Sequence, residues 1–216
     1  MSSGKYFRSL LSIIGLCIFG YPCLEPLVVE AVTDDIIVTQ YVDSDIAISS
    51  PDDVIMTGTI YGMTGGTGNG SAYWTITTSN AAGFNMSLKA DTSPAMKSGS
   101  YSFGDYVTGA VPDYSWAITS TDVSEFGYTV EAETTEDLDT KFKDNGADTC
   151  GTGSADTEDK CWLGFTTSSV LAVNRTGVTS ESGEDETVKF RAQSGSLHLQ
   201  EEGEYIATIT VTAINN

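Results

Sequence analysis

Apolar and polar residues alternate with a period of two along most of the chain. Ile36, Val38 and Val42 alternate with Ile37, Thr39 and Tyr41, and Ile46 and Ile48 follow a polar break at 43–45. Val54, Met56 and Ile60 share a parity. Ala72, Trp74, Ile76 and Thr78 form another set, followed by Met86, Leu88 and Ala90. Tyr114, Trp116 and Ile118, then Phe126, Tyr128 and Val130, then Val188, Phe190 and Ala192 repeat the pattern. The last run is the clearest. Tyr205, Ala207, Ile209, Val211 and Ala213 face one way, and Thr208, Thr210 and Thr212 face the other. A period of two with β-branched residues predicts half-buried strands.

Turn residues separate these runs: Gly62, Asn80 to Gly83, Ser98-Gly99, Asn145-Gly146 and Ser194-Gly195. The Gly-rich run Gly65-Gly66-Thr67-Gly68-Asn69-Gly70 reads as a flexible hairpin connection. A phosphate loop would need a helix N-terminus and a Lys, and neither is present. Only 134–144 (TTEDLDTKFKD) reads as helical, as a short turn with Leu138 and Phe142 on one face. Short strands at this spacing predict an all-β domain, a single immunoglobulin-like antiparallel β-sandwich with one disulfide-closed loop.

The first residues read as an address. Lys5 and Arg8 precede the uncharged apolar run 10–19, which is too short to span a bilayer. A polar segment follows, with Pro22 and Pro26, and Val29-Glu30-Ala31 fits a cleavage site. Residues 1–31 are therefore expected to be a secretory signal peptide and 32–216 the domain, secreted or held at the cell surface. An uncleaved anchor, a buried helix or acylation at Cys17 or Cys23 are the alternatives.

Charge then narrows the function. Thirty acidic residues against ten basic ones leave a net charge of -20. Nucleic acids and anionic membranes both need clustered Lys and Arg, so neither is an expected partner. One histidine, His198, disfavours His-based metal sites and most acid–base catalysis. Ser194 and Ser196 lie close to it in sequence, but no orienting acid marks a triad.

Cys150 and Cys161 remain beyond the leader, and an exported chain should oxidise them to a structural disulfide. No cofactor is expected. Asp144, Asp148, Asp156 and Asp159 flank this pair and are the weak calcium candidates, without the spacing of an EF-hand. The plain alternative is a solvated acidic surface. Trp74 and Trp116 fall on apolar parities and are expected in the core, and Trp162 over the disulfide. Tyr61, Tyr101 and Tyr106 are expected near the surface.

Ser49-Ser50-Pro51, the Gly-rich run, Tyr73-Trp74-Thr75-Ile76-Thr77-Thr78 and Gly83-Phe84-Asn85-Met86-Ser87-Leu88 follow in order. The chain closes with Gly203-Glu204-Tyr205-Ile206-Ala207-Thr208-Ile209-Thr210-Val211-Thr212. This order resembles secreted bacterial surface β-sandwiches: WxL-type cell-wall-binding domains and, more weakly, pilin-like sandwiches. The resemblance implies a β-sandwich fold and a wall-associated role.

Three function classes follow. The first is a non-enzymatic secreted or cell-surface structural or adhesive protein. In its sharp form, Ile36, Val38 and Val42 are a donor strand that fills a groove in a neighbouring copy. The same residues are otherwise the first strand of their own sandwich. The second class is a cell-wall or glycan-binding module, and the third is a secreted hydrolase.

Overall fold

The computed structural model describes residues 37–109 and 111–216. The chain divides into two units, Met1–Tyr41 and Val42–Asn216. In the first unit, residues 37–41 carry neither strand nor helix, and Ile37, Val38 and Tyr41 are exposed. Ile36 and the expected leader, 1–31, lie outside the described residues. In the second unit Val42 is also exposed and outside any strand. The expected first strand is thus absent over 37–42. The run has apolar residues on both parities, so it has no polar face to turn to solvent.

The second unit is mostly β. Its strands are β1 (Ile46–Ile48), β2 (Ile60–Tyr61), β3 (Gly65–Thr78), β4 (Phe84–Ala90), β5 (Met96–Ser98) and β6 (Tyr101–Asp105). They continue with β7 (Ser124–Ala132), β8 (Leu163–Gly164), β9 (Val170–Arg175), β10 (Glu184–Ser194), β11 (Ile206–Ala207) and β12 (Ile209–Asn215). One sheet runs β1-β3-β10-β7-β6-β5-β11, with β2 beside β3 and β8 beside β7. A second runs β12-β4-β9. All pairs are antiparallel except β6 with β7, which corrects the wholly antiparallel expectation. The connection 106–123 is long enough for the crossover that parallel pairing needs.

Register decides the faces. β10 pairs with β3 from Glu184↔Ile76 to Ser194↔Gly66, and with β7 from Glu186↔Ala132 to Ser194↔Ser124. Val188, Phe190 and Ala192 thereby point the same way as Phe126, Tyr128 and Val130. The β12-β4-β9 sheet brings Phe84, Met86, Leu88, Ala172 and Val173 to the same core. Tyr128 and Phe126 stack on Phe165 at centroid distances of 4.4 and 5.2 Å. Each such large side chain contributes roughly 1.5–3 kcal/mol by leaving water.

Two expectations are corrected here. The Gly-rich run is not a loop but the first half of β3. Gly66, Gly68, Gly70 and Ala72 occupy its inward positions, opposite Ser194, Ala192, Phe190 and Val188. A Cβ at Gly70 would come within 2.5 Å of Val54 Cγ1, so close approach requires glycine there. The run Tyr114, Trp116, Ile118 forms no strand. It belongs to a connection that covers the outward side of β7. Glu125 there accepts hydrogen bonds from the Thr119 amide and hydroxyl, and Thr129 donates to the Lys160 carbonyl. β7 is therefore buried on both sides over most of its length.

The 134–144 segment forms two short 3-10 turns, Thr135–Asp137 and Thr140–Phe142. Between them Leu138 bridges to Val173, and the Asp139 amide donates to the Ala172 carbonyl. Sheet pairing interrupts the helix, while Leu138 and Phe142 still reach the core. Cys150 and Cys161 form the disulfide, with their Cα atoms 5.7 Å apart. Asp144, fully buried, organises the loop they close. Its carboxylate accepts from the Gly146 amide and from the Thr157 amide and hydroxyl.

The inward face of β10 carries a carboxyl group. Glu186 is 1 % exposed, and its Oε2 has no hydrogen-bond partner among the described residues. Burial pushes its carboxyl up to about 8. Asp137, Glu184 and Glu133 act in the same direction, and Arg175 opposes them. Arg175 is itself engaged by Asp137 and Glu184 at 2.7 and 3.2 Å.

Two predictions follow from these interior features. Replacing both disulfide cysteines, Cys150→Ser with Cys161→Ser, should lower stability by about 3 kcal/mol in denaturant unfolding, and unchanged stability would refute the staple role. Glu186 gains its proton advantage on folding, because the unfolded carboxyl releases its proton near 4.5 and the folded one near 8. Stability should therefore fall as pH rises through that window. Glu186→Gln should flatten the slope and stabilise the protein at pH 9 by roughly 1–3 kcal/mol. Melting curves from pH 4 to 9 that keep the wild-type slope in the variant would exclude Glu186 as its source.

Candidate functional site: an open groove beside an unpaired strand edge

The small residues on the inward face of β3 leave space that neighbouring side chains do not close. Beneath Gly68, Ala72 and Trp74 runs a groove of about 1170 Å³. Its floor is core surface from Phe126, Phe190 and Ala192, and its far wall is Tyr205, Ala207 and Ile209. Val54 and Met56 reach over part of it. Phe103, also lining it, sits edge-on to Tyr205 at a centroid distance of 5.1 Å.

The groove lies beside the free edge of β3, with Ala72 and residues 50–55 bordering both. On the side away from β10, β3 pairs with β1 at Ile76, Thr77 and Thr78 and with β2 at Gly65 and Gly66. Between these pairs it meets Ser49 at Thr75, and Thr57 at Asn69. The outward main-chain groups alternate, so Ser71 and Tyr73 point the same way as Asn69 and Thr75. No main-chain partner meets them among the described residues. Residues 50–56 arch away instead, with Asp52, Asp53 and Ile55 in solvent. Ile55 is 89 % exposed. A second opening of about 700 Å³ lies between this arch and Gly70, Ser71 and Tyr73.

The rim has one sign of charge. Asp52, Asp53, Glu201, Glu202 and Glu204 line the larger groove, and no Lys or Arg does. All five are exposed, and none forms an ion pair among the described residues. Gln200 also lines the groove and is 7 % exposed. Its Nε2 donates to the Tyr205 hydroxyl, while its Oε1 has no donor among the described residues. A buried acceptor left open is costly unless something supplies an N–H.

The residues singled out in sequence are scattered. Asp144 spends its carboxylate on the disulfide loop. Asp148 stands exposed, and Asp159 accepts from Lys189 at 3.1 Å. Asp156 accepts from the Ala132 amide, and burial beside Glu131 and Asp144 pushes its carboxyl up to about 6. Among the described residues, no group of three or more His, Cys, Asp or Glu side chains is placed to hold a metal ion.

His198 meets a different serine from those its neighbourhood in sequence suggested. Its Nε2 lies 3.4 Å from Ser124 Oγ, and its Nδ1 lies 2.9 Å from the Asp122 carbonyl. A main-chain carbonyl takes the place an orienting carboxylate would hold in a triad. Ser124 is buried, and neither groove reaches it.

Of the aromatic residues, Trp116 and Tyr106 depart from their expected places, while Trp74 packs against the core as expected. Trp162 is buried, Trp74 is half-buried at the groove, and Trp116 lies on the outward side of the sheet. Tyr106, expected near the surface, is buried and stacks on Trp116 at 4.1 Å. Gly127 permits this, since a Cβ there would meet Tyr106 Cβ at 2.8 Å. Arg191 covers Trp162 at 4.3 Å, and the Trp116 and Trp162 N–H groups donate to Gln193 and to the Asp159 carbonyl. Tyr61 and Tyr101 are exposed as expected.

The signal for the groove in the sequence is the spacing of its small residues. Gly66, Gly68, Gly70 and Ala72 at alternate positions mean a strand with a bare inward face. Comparison with family models, with curated proteins and with solved structures returned no match.

Proposed function

We propose that this chain is a non-enzymatic secreted or cell-surface structural or adhesive protein. Its fold is read as an immunoglobulin-like β-sandwich, and its work is to hold an extended polypeptide segment by strand addition. The observation that carries the reading is the unpaired edge at Ser71 and Tyr73, which lines the smaller opening, next to a groove with an apolar floor; Ala72 and residues 50–55 border both. Strand addition uses both parts: the main-chain groups supply affinity, and the groove takes alternate side chains of the incoming strand. An exposed edge is otherwise a liability that proteins cover. The Cys150–Cys161 disulfide supports an oxidising compartment.

The hydrolase class receives less support, because the Ser124–His198 contact is buried and carbonyl-oriented. The glycan-binding class keeps the exposed Tyr61 and Tyr101 as platforms, but the indole N–H groups of Trp116 and Trp162 are engaged within the chain.

The reading is tested with a displayed library of heptapeptides that alternate apolar and polar residues. Binding should enrich a subset of them. Tyr73→Pro, which removes one edge N–H without touching the pairing to β10, should weaken the enriched peptides about tenfold. Ser71→Pro serves as a second version. Enrichment that both variants leave intact, or no enrichment at all, would defeat strand addition at this edge.

A further inference from the structure

The occupant of the groove can be specified further, on the reading that the groove accepts a strand. From the charge of the rim we infer that the groove selects a segment of a different polypeptide, apolar at alternate positions and carrying Lys or Arg at its ends. Three observations carry this. The floor is apolar, with Ala72, Trp74, Phe126 and Phe190, so the middle of the segment must supply apolar side chains. The rim carries five exposed carboxylates and, among the described residues, no basic side chain lines the groove. The buried Gln200 Oε1 lacks a donor at the same site, which an amide or amine of the occupant would satisfy.

The chain's own exposed segment, 37–42, is the obvious competitor. Its core is apolar and uncharged, as the groove requires. But it is bracketed by Asp34 and Asp35 on one side and Asp43 and Asp45 on the other. Two copies would bring like charges together, in a protein whose net charge is already -20. Charge across an interface selects partners chiefly by making the wrong ones repel. The two occupants therefore differ in the sign of their salt dependence. Added salt weakens a basic-flanked strand and strengthens an acidic-flanked one.

The test uses two fluorescent peptides with the same core, Ile-Val-Thr-Gln-Tyr-Val. One carries two lysines at each end and the other two aspartates. Binding to the intact protein is read by anisotropy at low and high salt. The lysine-flanked peptide should bind at least about tenfold tighter at 20 mM salt, and the gap should shrink to about threefold or less at 300 mM. Neutralising the rim with Asp52→Asn, Asp53→Asn, Glu201→Gln, Glu202→Gln and Glu204→Gln should abolish the preference. These side chains are exposed and unpaired, so the fold should survive. A lysine-flanked control with prolines at alternate core positions should not bind, and equal binding would reveal bare cation attraction and overturn the inference.

Equal or tighter binding of the aspartate-flanked peptide would overturn the inference and leave strand addition standing. So would assemblies, seen by light scattering, that vanish when residues 32–42 are removed. Failure of both peptides at both salt concentrations would overturn strand addition itself.

Discussion

The register of β10 between β3 and β7 is the constraint on which the rest depends. The inward residues of β3, β10 and β7 are set by it. Slipping β10 by one residue would turn Phe190 outward and drive Lys189 and Arg191 into the core, a cost no local repacking could absorb. The same register puts Gly68, Gly70 and Ala72 opposite Ala192, Phe190 and Val188. The groove is thus a consequence of the sheet's pairing. Where β3 offers no side chains, the core has a floor and no filling.

Interior charge shows the same dependence. Glu186 is inward because Val188 and Phe190 are, and pairing gives it no alternative face. Arg175 stands close but is shared with Asp137 and Glu184, and its Nε lacks a partner among the described residues. A proton on Glu186 relieves the excess of carboxylates at this end of the core. The fold therefore tolerates the residue best in mildly acidic surroundings.

Strand parity was legible in the sequence wherever one side of a strand met the core and the other met water. β4, β10 and β12 fall into this group, as does the Cys150–Cys161 pair. Parity failed where a second layer covered the outward face. Glu125, Gly127 and Thr129 hold the opposite parity to Phe126, Tyr128 and Val130, but the segments around Thr119 and Lys160 lie over them. Trp116 shows the converse error. Its apolar neighbours suggested a core strand, whereas its partners are Tyr106, Trp162 and Arg191 on the outward face. Local pattern carries no information about what packs on the far side of a sheet. The meeting of Ser124 with His198 was invisible for the same reason, since 74 residues separate them.

The arch at 50–56 explains why the edge stays open. The chain from Ile48 to Thr57 is two residues longer than the stretch from Asn69 to Ile76 that it would have to match. Continuous pairing is impossible without a large bulge, and Pro51 has no N–H to donate. Val54 and Met56 turn inward over Gly70, which leaves Ile55 stranded in solvent. Pro51, Asp52 and Asp53 are the kind of residue that keeps strand edges from pairing indiscriminately. A charged guard beside a still-open groove does not seal it. It raises the barrier for acidic strands, including those of other copies, and lowers it for basic ones. Protection against self-association and selection of a partner are then the same electrostatic property, seen from two sides.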